Sequence, residues 1–260
     1  MIGLGTLINV VAIIVGAALG VLVGHRLPER TSRVVTDSLG MVVLVIGAMN
    51  IMSLTDADFV SAVGPGVGLL VVVAALVIGG VVGSLWNIEA RLEQFGTWLQ
   101  ATTRKRAVAR PKKSPAGTES RPNTFVEGFV DASLIYCVGP MAILGALSDG
   151  TGNGIETLAL KASLDGISAI AFAAALGWGV AASALPVGIW QGLLTLLAIG
   201  LGTFMSTAVI ASITATGGIL MLGIGLRVLN IRQVNVGNLL PALIVAPLIT
   251  LAIAGVRGVL

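Results

Sequence analysis

The sequence predicts an all-α membrane protein, a polytopic helix bundle with about eight transmembrane helices. Of its 260 residues, 56% are hydrophobic and only 10% are charged. The mean hydropathy is +1.01, well above that of a soluble domain. The basic residues are concentrated in short segments between long apolar runs, a distribution that is typical of multi-pass membrane proteins.

The apolar runs define the predicted spans. A helix needs roughly 20 apolar residues to cross about 30 Å of hydrocarbon, and eight stretches of the chain meet this requirement. Only residues 206 and 207 separate the sixth stretch from the seventh, so a count of seven stays open. The predicted spans are residues 3–24, 34–54, 61–85, 125–148, 158–180, 185–205, 208–229 and 236–256.

Between the third and fourth spans lie two segments of different character. In residues 86–100, the apolar side chains recur at helical spacing between two tryptophans, which predicts an amphipathic helix at the membrane interface. Residues 101–122 carry seven basic side chains and one acidic one, and we expect a disordered linker. The chain is therefore divided into residues 1–100 (spans one to three and the interfacial helix), 101–122 (the linker) and 123–260 (spans four to eight).

The basic loops predict the orientation. The loops after spans one, three and seven are basic, whereas the alternate loops carry acids and no Lys or Arg. Because basic loops accumulate in the cytoplasm, we expect the N-terminus outside and the linker inside, in a bacterial cytoplasmic (inner) membrane. Residues 104–113 are expected to approach anionic headgroups, with a plain topology signal as the alternative. Because the basic charge is confined to this loop, it gives no reason to expect nucleic acid as a partner.

Recurring residues suggest an internal repeat of four helices plus four. The run AALG at 17–20 recurs at 174–177, and a shift of four helices preserves orientation, so this alignment describes a parallel duplication. A second alignment, shifted by five helices, would be inverted. It pairs Gly40 and Gly47 with Gly218 and Gly225. Both alignments stay open, as does the absence of a repeat.

Four ionisable residues inside apolar spans are the first candidates for function: Glu127, Asp131, Lys161 and Asp165. Charges in hydrocarbon are costly and often mark a pathway or a pair. Asp131 has no basic neighbour on its own helix, which makes it the first candidate for a carboxylate that couples transport to protons or cations. Lys161 and Asp165 have the spacing of an ion pair along a helix, and the alternative for them is an interfacial pair with the lysine snorkelling outward.

A predicted break in span four is the second candidate feature. Pro140 removes an amide donor and clashes with the preceding turn, so the helix should kink or unwind near Gly139 and Pro140. A broken helix at membrane depth can bind a solute, particularly if Pro247 breaks a partner helix. The alternative is a packing kink without a ligand.

Other polar and small residues could serve transport or packing. Asn9, Asn50, Gln191 and Asn238 could line a pathway or join helices by hydrogen bonds. A ridge formed by Gly16, Gly20 and Gly24 allows close approach of another helix, either within the fold or in a homo-oligomer.

The sequence offers no site for enzyme chemistry. Its single histidine and single cysteine cannot form a multi-histidine or thiolate metal site, and we expect neither metal nor cofactor. No nucleophile elbow, phosphate loop or HExxH is present, so an enzymatic function is not expected.

Two runs of the sequence are specific enough for a family resemblance, namely CVGPMAILGALSDG at 137–150 and KASLDG at 161–166. With GTLIN at 5–9, GGILMLGIGLRVLNI at 217–231 and NLLPAL at 238–243, they resemble the bacterial membrane-protein family known only as domain of unknown function 554. The resemblance covers nearly the whole chain outside the linker. It implies a multi-pass protein of a kind often described as a transport protein, and it implies no substrate. The family pattern often has an acidic residue before the GG of span seven, where this chain has Ser212, which puts a coupling role of that helix in doubt.

These observations favour a secondary transporter or ion-coupled carrier of a small solute or ion. Its pathway is expected to join Glu127 and Asp131 to Lys161 and Asp165 through the interrupted fourth helix. An oligomeric passive channel and a non-transporting membrane scaffold are the alternatives.

Overall fold

The computed structural model describes residues 2–24, 28–107, 124–138, 140–152, 154–201 and 206–258. These residues form helices joined by short connections, and they contain no strand. The α-helices are α1 (Leu4–Gly24), α2 (Glu29–Ile51), α3 (Ala57–Val63), α4 (Val67–Leu85), α5 (Ile88–Ala107), α6 (Thr124–Val138), α7 (Pro140–Gly150), α8 (Glu156–Leu176), α9 (Gly179–Ala182), α10 (Ala184–Leu201), α11 (Thr207–Val228) and α12 (Ala242–Val256).

Within the described residues, seven helical segments are long and apolar enough to cross a membrane. The pair α6 and α7 makes an eighth if the two bent helices form one span. The predicted all-α polytopic fold is thus confirmed. The predicted junction between the sixth and seventh spans, at residues 206 and 207, agrees with the structure, because Ser206 caps α11 and Thr207 is the first residue of that helix. Residues 202–205 lie outside the described residues.

The predicted third span begins later than the sequence suggested. Its first residues belong to the short helix α3, and α4 begins only at Val67. Between the two helices, Gly64 and Gly66 have φ angles of 103° and 75°, a region that residues with side chains rarely adopt. The chain therefore turns at Gly64-Pro65-Gly66, a glycine-proline signal that the prediction placed within a span.

The glycine ridge of α1 packs within the chain. Helices α1 and α8 run parallel, and each glycine of the ridge faces a backbone carbonyl of α8. The facing pairs are Gly16 with Gly166, Gly20 with Ile170, and Gly24 with Ala174. A side chain at these glycines would overlap with the facing carbonyl. The surface through which a homo-oligomer was predicted is therefore covered by α8.

Helices α2 and α11 also meet through glycines, and they run antiparallel. A Cβ atom built at Gly47 would lie 2.8 Å from the carbonyl oxygen of Gly218, and one at Gly225 would lie 3.2 Å from that of Gly40. These four glycines are the ones that the inverted alignment pairs. Gly47 contacts Gly218, which is the counterpart of Gly40, and Gly40 contacts Gly225, which is the counterpart of Gly47. A two-fold axis between antiparallel helices produces such contacts, but neither repeat is established by them, and both stay predictions.

Helices from the two sides of the linker interleave in one bundle. Helix α1 packs on α8, α2 on α11 and α4 on α12, so residues 1–100 and 123–260 share a core. We call the end of the bundle that holds α5 and the C-termini of α1, α8 and α11 the linker end. The opposite end, where α1 begins and α7 finishes, is called the distal end.

The interfacial helix is longer than predicted. Helix α5 extends from Ile88 to Ala107, and the first residues of the predicted linker are thus helical, while 108–123 lie outside the described residues. Phe95 stacks on Trp98 with ring centroids 5.7 Å apart, and it lies 5.9 Å from the ring of Phe129 in α6. The helix is thereby held against the linker end of the bundle.

Candidate functional site

Three charged side chains meet at the linker end, and we call them the linker-end cluster: Glu89, Asp131 and Arg227. Arg227 Nη1 donates to Glu89 Oε1, and Arg227 Nε lies 2.9 Å from Asp131 Oδ1. The residues are only 6%, 1% and 8% exposed, respectively. A membrane-buried carboxylate of α6 is therefore held beside an arginine of α11 and a glutamate of α5.

The local sequence explains how these side chains are placed. Arg227 lies in the last turn of α11, where the helix dipole favours a cation, and Glu89 lies in the first turn of α5, where it favours an anion. Glu89 Oε2 also accepts a hydrogen bond from the backbone N–H of Gly237. The backbone N–H of Glu89 donates to Asn238 Oδ1 over 2.9 Å, which joins α5 to the segment before α12.

Sequence reasoning missed two members of this cluster. Arg227 contributed only to the basic loop predicted after span seven, and Glu89 was one residue of the predicted interfacial helix at 86–100. The available signal was the position of Arg227, because it falls inside the apolar span rather than after it. Its depth in the helix predicts a carboxylate partner.

The linker-end cluster carries more negative than positive charge. Its described ion pairs join two carboxylates to the same arginine, so its formal charge is −1 when all three groups are ionised. Asp131 Oδ1 is close to Arg227 but makes no hydrogen bond of normal geometry, and Asp131 Oδ2 has no hydrogen-bond partner among the described residues. Such a buried carboxylate can take up a proton.

A second cluster lies in the distal half of the bundle, and we call it the distal cluster: Asn9, Lys161, Asp165 and Gln191. Lys161 donates to Asp165 along α8. Asn9 Nδ2 of α1 donates to Asp165 Oδ2 over 3.0 Å and to Gln191 Oε1 of α10 over 3.1 Å. Three helices thus contribute to one hydrogen-bonded group.

Lys161 does not snorkel to the surface. Lys161 is 4% exposed and Asp165 is 8% exposed, which corrects the alternative of an outward-facing interfacial pair. The lysine is held inward by Asp165, and its ammonium lies 5.9 Å from the ring centroid of Tyr136. Burying such an ion pair costs a desolvation free energy that can exceed the attraction between the two charges. Its burial is therefore weak evidence that the pair only stabilises the fold.

The break in span four is present and lies next to the distal cluster. Helix α6 ends at Val138, α7 begins at Pro140, and the two axes differ by 59°. The carbonyl of Cys137, just before the break, accepts a hydrogen bond from Trp190 Nε1 over 3.1 Å. Tyr136 Oη accepts one from Ser168 Oγ over 3.3 Å. Trp190 thus satisfies a backbone carbonyl of the interrupted helix, and Tyr136 anchors that helix to α8. Neither residue was predicted.

The remaining predicted site residues are dispersed. Glu127 is half-buried one turn before Asp131, and Asn50 Nδ2 donates to Met221 Sδ over 3.3 Å between α2 and α11. Gly139 lies outside the described residues. Helix α12 continues through Pro247 without a break, so the condition that Pro247 interrupts a partner helix is not met. Pro247 is the sixth residue of α12, and the amides of Ile244 and Val245 just before it both bond to the carbonyl of Pro241.

An apolar cavity of about 440 Å³ lies between α7, α10, α11 and α12. Its lining includes Trp190 and Pro247 and contains no charged residue. The cavity therefore does not include Asp131 or Asp165. Within the described part of the chain, no group of three or more His, Cys, Asp or Glu could hold a metal ion.

Comparison with known proteins agrees with this architecture. The family described as "Protein of unknown function (DUF554)" matches residues 4–251. The chain belongs to this family. The resemblance found in the sequence is thereby confirmed, because the same family matches nearly the whole chain.

Two proteins are similar to the chain over nearly their whole length. The "Uncharacterized membrane protein YdfK" of Bacillus subtilis (strain 168) is 28% identical over 250 residues, covering 96% of each chain. The "Uncharacterized protein YqgA" of Escherichia coli (strain K12) is 28% identical over 243 residues, covering 94% of each chain. No solved structure matches the chain. These comparisons establish a membrane protein of this family, and they assign no activity.

Proposed function

We propose that the protein is a secondary transporter that couples the movement of a small solute to proton movement through Asp131. The observation that carries the proposal is the unbalanced charge of the linker-end cluster, in which Glu89 and Asp131 share one arginine. A buried excess charge is costly in a membrane. Uptake of one proton by the cluster removes the excess charge, and release of that proton restores the charge. A site that couples transport to protons must undergo this reversible change.

A proton suits this site better than a sodium ion. A hard metal cation needs several oxygen ligands, whereas Arg227 Nε already lies 2.9 Å from one oxygen of Asp131 and would repel a second cation. A proton needs one free lone pair, which Oδ2 of Asp131 offers. The sodium alternative is an arm of the experiment below.

The two clusters suggest a division of roles. The linker-end cluster carries the exchangeable charge, and the distal cluster, with Lys161 paired to Asp165, offers neutral polar groups to a solute. Tyr136 stands between them on α6, five residues after Asp131 and in contact with Ser168 of α8. We therefore assign Tyr136 to the pathway, beside Gly139 and Pro140.

The expected orientation places the linker end in the cytoplasm of a bacterial inner membrane. The support is the basic segment at 101–122, whose positive charge favours the cytoplasmic side and anionic headgroups. In this orientation Asp131 would exchange protons with the cytoplasm, and the distal cluster would face the outer half of the membrane.

Transport into reconstituted vesicles tests the proposal. Full-length protein in proteoliposomes should take up small polar solutes faster under an inward proton gradient, and Asp131→Asn should remove the gradient dependence because the side chain can no longer ionise. Asp37→Asn, the same change at an exposed position, serves as the matched control and should behave as the parent. Uptake driven by sodium alone would contradict the choice of the proton.

The same vesicles distinguish the alternatives. Ion conductance that needs no gradient coupling and is unchanged in Asp131→Asn would indicate a passive channel. If neither uptake nor conductance occurs, and if deleting residues 103–121 abolishes the cellular phenotype while the protein still folds, a scaffold is indicated. Either result contradicts the carrier.

A further inference from the structure

Unpaired polar atoms are concentrated in the distal cluster and one helical turn beyond it. Four side-chain atoms on α1 and α10 are buried and have no hydrogen-bond partner among the described residues: Thr6 Oγ1, Asn9 Oδ1, Gln191 Nε2 and Thr195 Oγ1. Their residues are 9%, 0%, 0% and 3% exposed. Buried polar groups are nearly always paired, so this concentration points to a ligand.

The hydrogen bonds fix which amide atoms are free. The Asp165 carboxylate can only accept, so the amide group of Asn9 that faces it must be the NH2, and Oδ1 of Asn9 is left as a free acceptor. The same NH2 also donates to Gln191, which makes the facing atom Oε1 and leaves Nε2 as a free donor. The cluster therefore presents one acceptor and one donor with defined identities.

The two threonines lie on the same faces as these amides. Helices α1 and α10 run antiparallel, because Gly188 faces Val10 while Gln191 contacts Asn9. Thr6 lies one turn before Asn9 and Thr195 one turn after Gln191, and residues three or four apart share a helix face. Both steps lead toward the distal end, so the two threonines lie one turn beyond the amides, on the same faces of the two helices.

The charge of the cluster restricts the occupant. Lys161 and Asp165 pair with each other, and the four unpaired atoms belong to uncharged side chains. A cation would be repelled by Lys161 and an anion by Asp165, whereas a neutral solute is repelled by neither. A hydroxyl both donates and accepts, so the threonines can adapt to either end of such a solute.

We propose that Thr6, Asn9, Gln191 and Thr195 bind a small uncharged solute that carries an amide-like pair of donor and acceptor. Its N–H would donate to Asn9 Oδ1, its carbonyl oxygen would accept from Gln191 Nε2, and the hydroxyls of Thr6 and Thr195 would contact its distal side. The inference rests on the proposed transport function and specifies the substrate class of that pathway.

Equilibrium dialysis of the purified full-length protein against radiolabelled urea and acetamide tests this site. We expect saturable binding of at least one of the two probes, with no displacement by equal concentrations of glycine or sodium chloride. Absence of saturable binding of both probes would overturn the proposal, as would displacement by glycine or salt, because the occupant would then be charged.

Isosteric variants distinguish a binding role from a packing role. Thr6→Val and Thr195→Val should weaken probe binding at least tenfold without lowering the Tm, since each removes an unpaired hydroxyl. Thr216→Val is the matched control: its buried hydroxyl donates to the carbonyl of Ser212 over 2.7 Å, so its loss should lower the Tm and leave probe binding unchanged. A lowered Tm with unchanged binding in the first two variants would contradict a ligand site.

No gradient is present in this experiment, so its outcome is independent of coupling. If urea or acetamide binds but Asp131→Asn leaves transport unchanged, the proposed coupling fails and the site stands. If gradient-driven uptake depends on Asp131 while neither probe binds, the substrate class fails and the coupling stands.

Discussion

At the scale of residues, the rarity of charge in apolar spans identified the carboxylates but not their partners. Asp131 and Asp165 are both buried in hydrogen-bonded or ion-paired clusters. The cation beside Asp131 comes from α11, 96 positions later in the chain, and no helical spacing links the two. A sequence pattern reports neighbours on one helix, as it did for Lys161 and Asp165, and cannot report which helices meet.

Removing Arg227 should leave two buried carboxylates without a cation. We expect Arg227→Gln to lower the free energy of unfolding by about 3–5 kcal/mol, the range found when one partner of a buried ion pair is deleted. Thermal or denaturant unfolding in detergent would measure this loss. The exposed Arg232 is the control, and Arg232→Gln should change the stability by less than about 0.5 kcal/mol.

A double variant shows whether the loss arises from uncompensated charge. Glu89→Gln combined with Arg227→Gln should be more stable than Arg227→Gln alone, because one of the two unpaired carboxylates is neutralised. If the two substitutions lower the free energy of unfolding additively, Glu89 and Arg227 contribute independently. That result would contradict the interpretation that two carboxylates share one arginine.

At the scale of elements, the sequence predicted the positions of the helices better than the contacts that each helix makes with other helices. The break before Pro140 followed from the missing amide and the steric clash of proline, which are local effects. Pro247 has the same local chemistry, yet α12 continues through it, so the presence of a proline does not by itself determine where a helix is interrupted. The glycine ridge of α1 was recognised, but whether a second chain or α8 covers it depends on the tertiary fold.

Close packing of α1 on α8 should be intolerant of side chains at the ridge. A Cβ atom at Gly20 would overlap with the carbonyl of Ile170, so we expect Gly20→Leu to lower the free energy of unfolding by about 1–3 kcal/mol or more, as overpacking does. Gly192 of α10 has no atom within 4 Å of such a Cβ, and Gly192→Ala should be neutral or stabilising. Equal destabilisation of both variants in thermal unfolding would contradict this contact.

At the scale of the whole molecule, interleaving of the two halves could not be derived from the chain order. Residues 1–100 and 123–260 are separated by a basic segment, yet α1, α2 and α4 each pack against a helix from beyond it. The interleaving brings Glu89 to Arg227 and Asn9 to Asp165. Both clusters therefore exist only in the assembled bundle, and their partners follow from tertiary contacts.

The bundle places an unbalanced cluster at the linker end and a neutral one in the distal half. Coupling requires that protonation of the first and occupancy of the second influence each other, and such an influence must be reciprocal. The account therefore depends on one property above all, namely that Asp131 exchanges a proton while it lies beside Arg227.

Infrared difference spectroscopy of the full-length protein in lipid measures this property directly. Over a pH titration, the parent protein and the Asp37→Asn control should show a C=O band of a protonated carboxyl group that is absent in Asp131→Asn. Identical difference spectra for all three proteins would mean that Asp131 does not exchange a proton, and proton coupling through this residue would be contradicted.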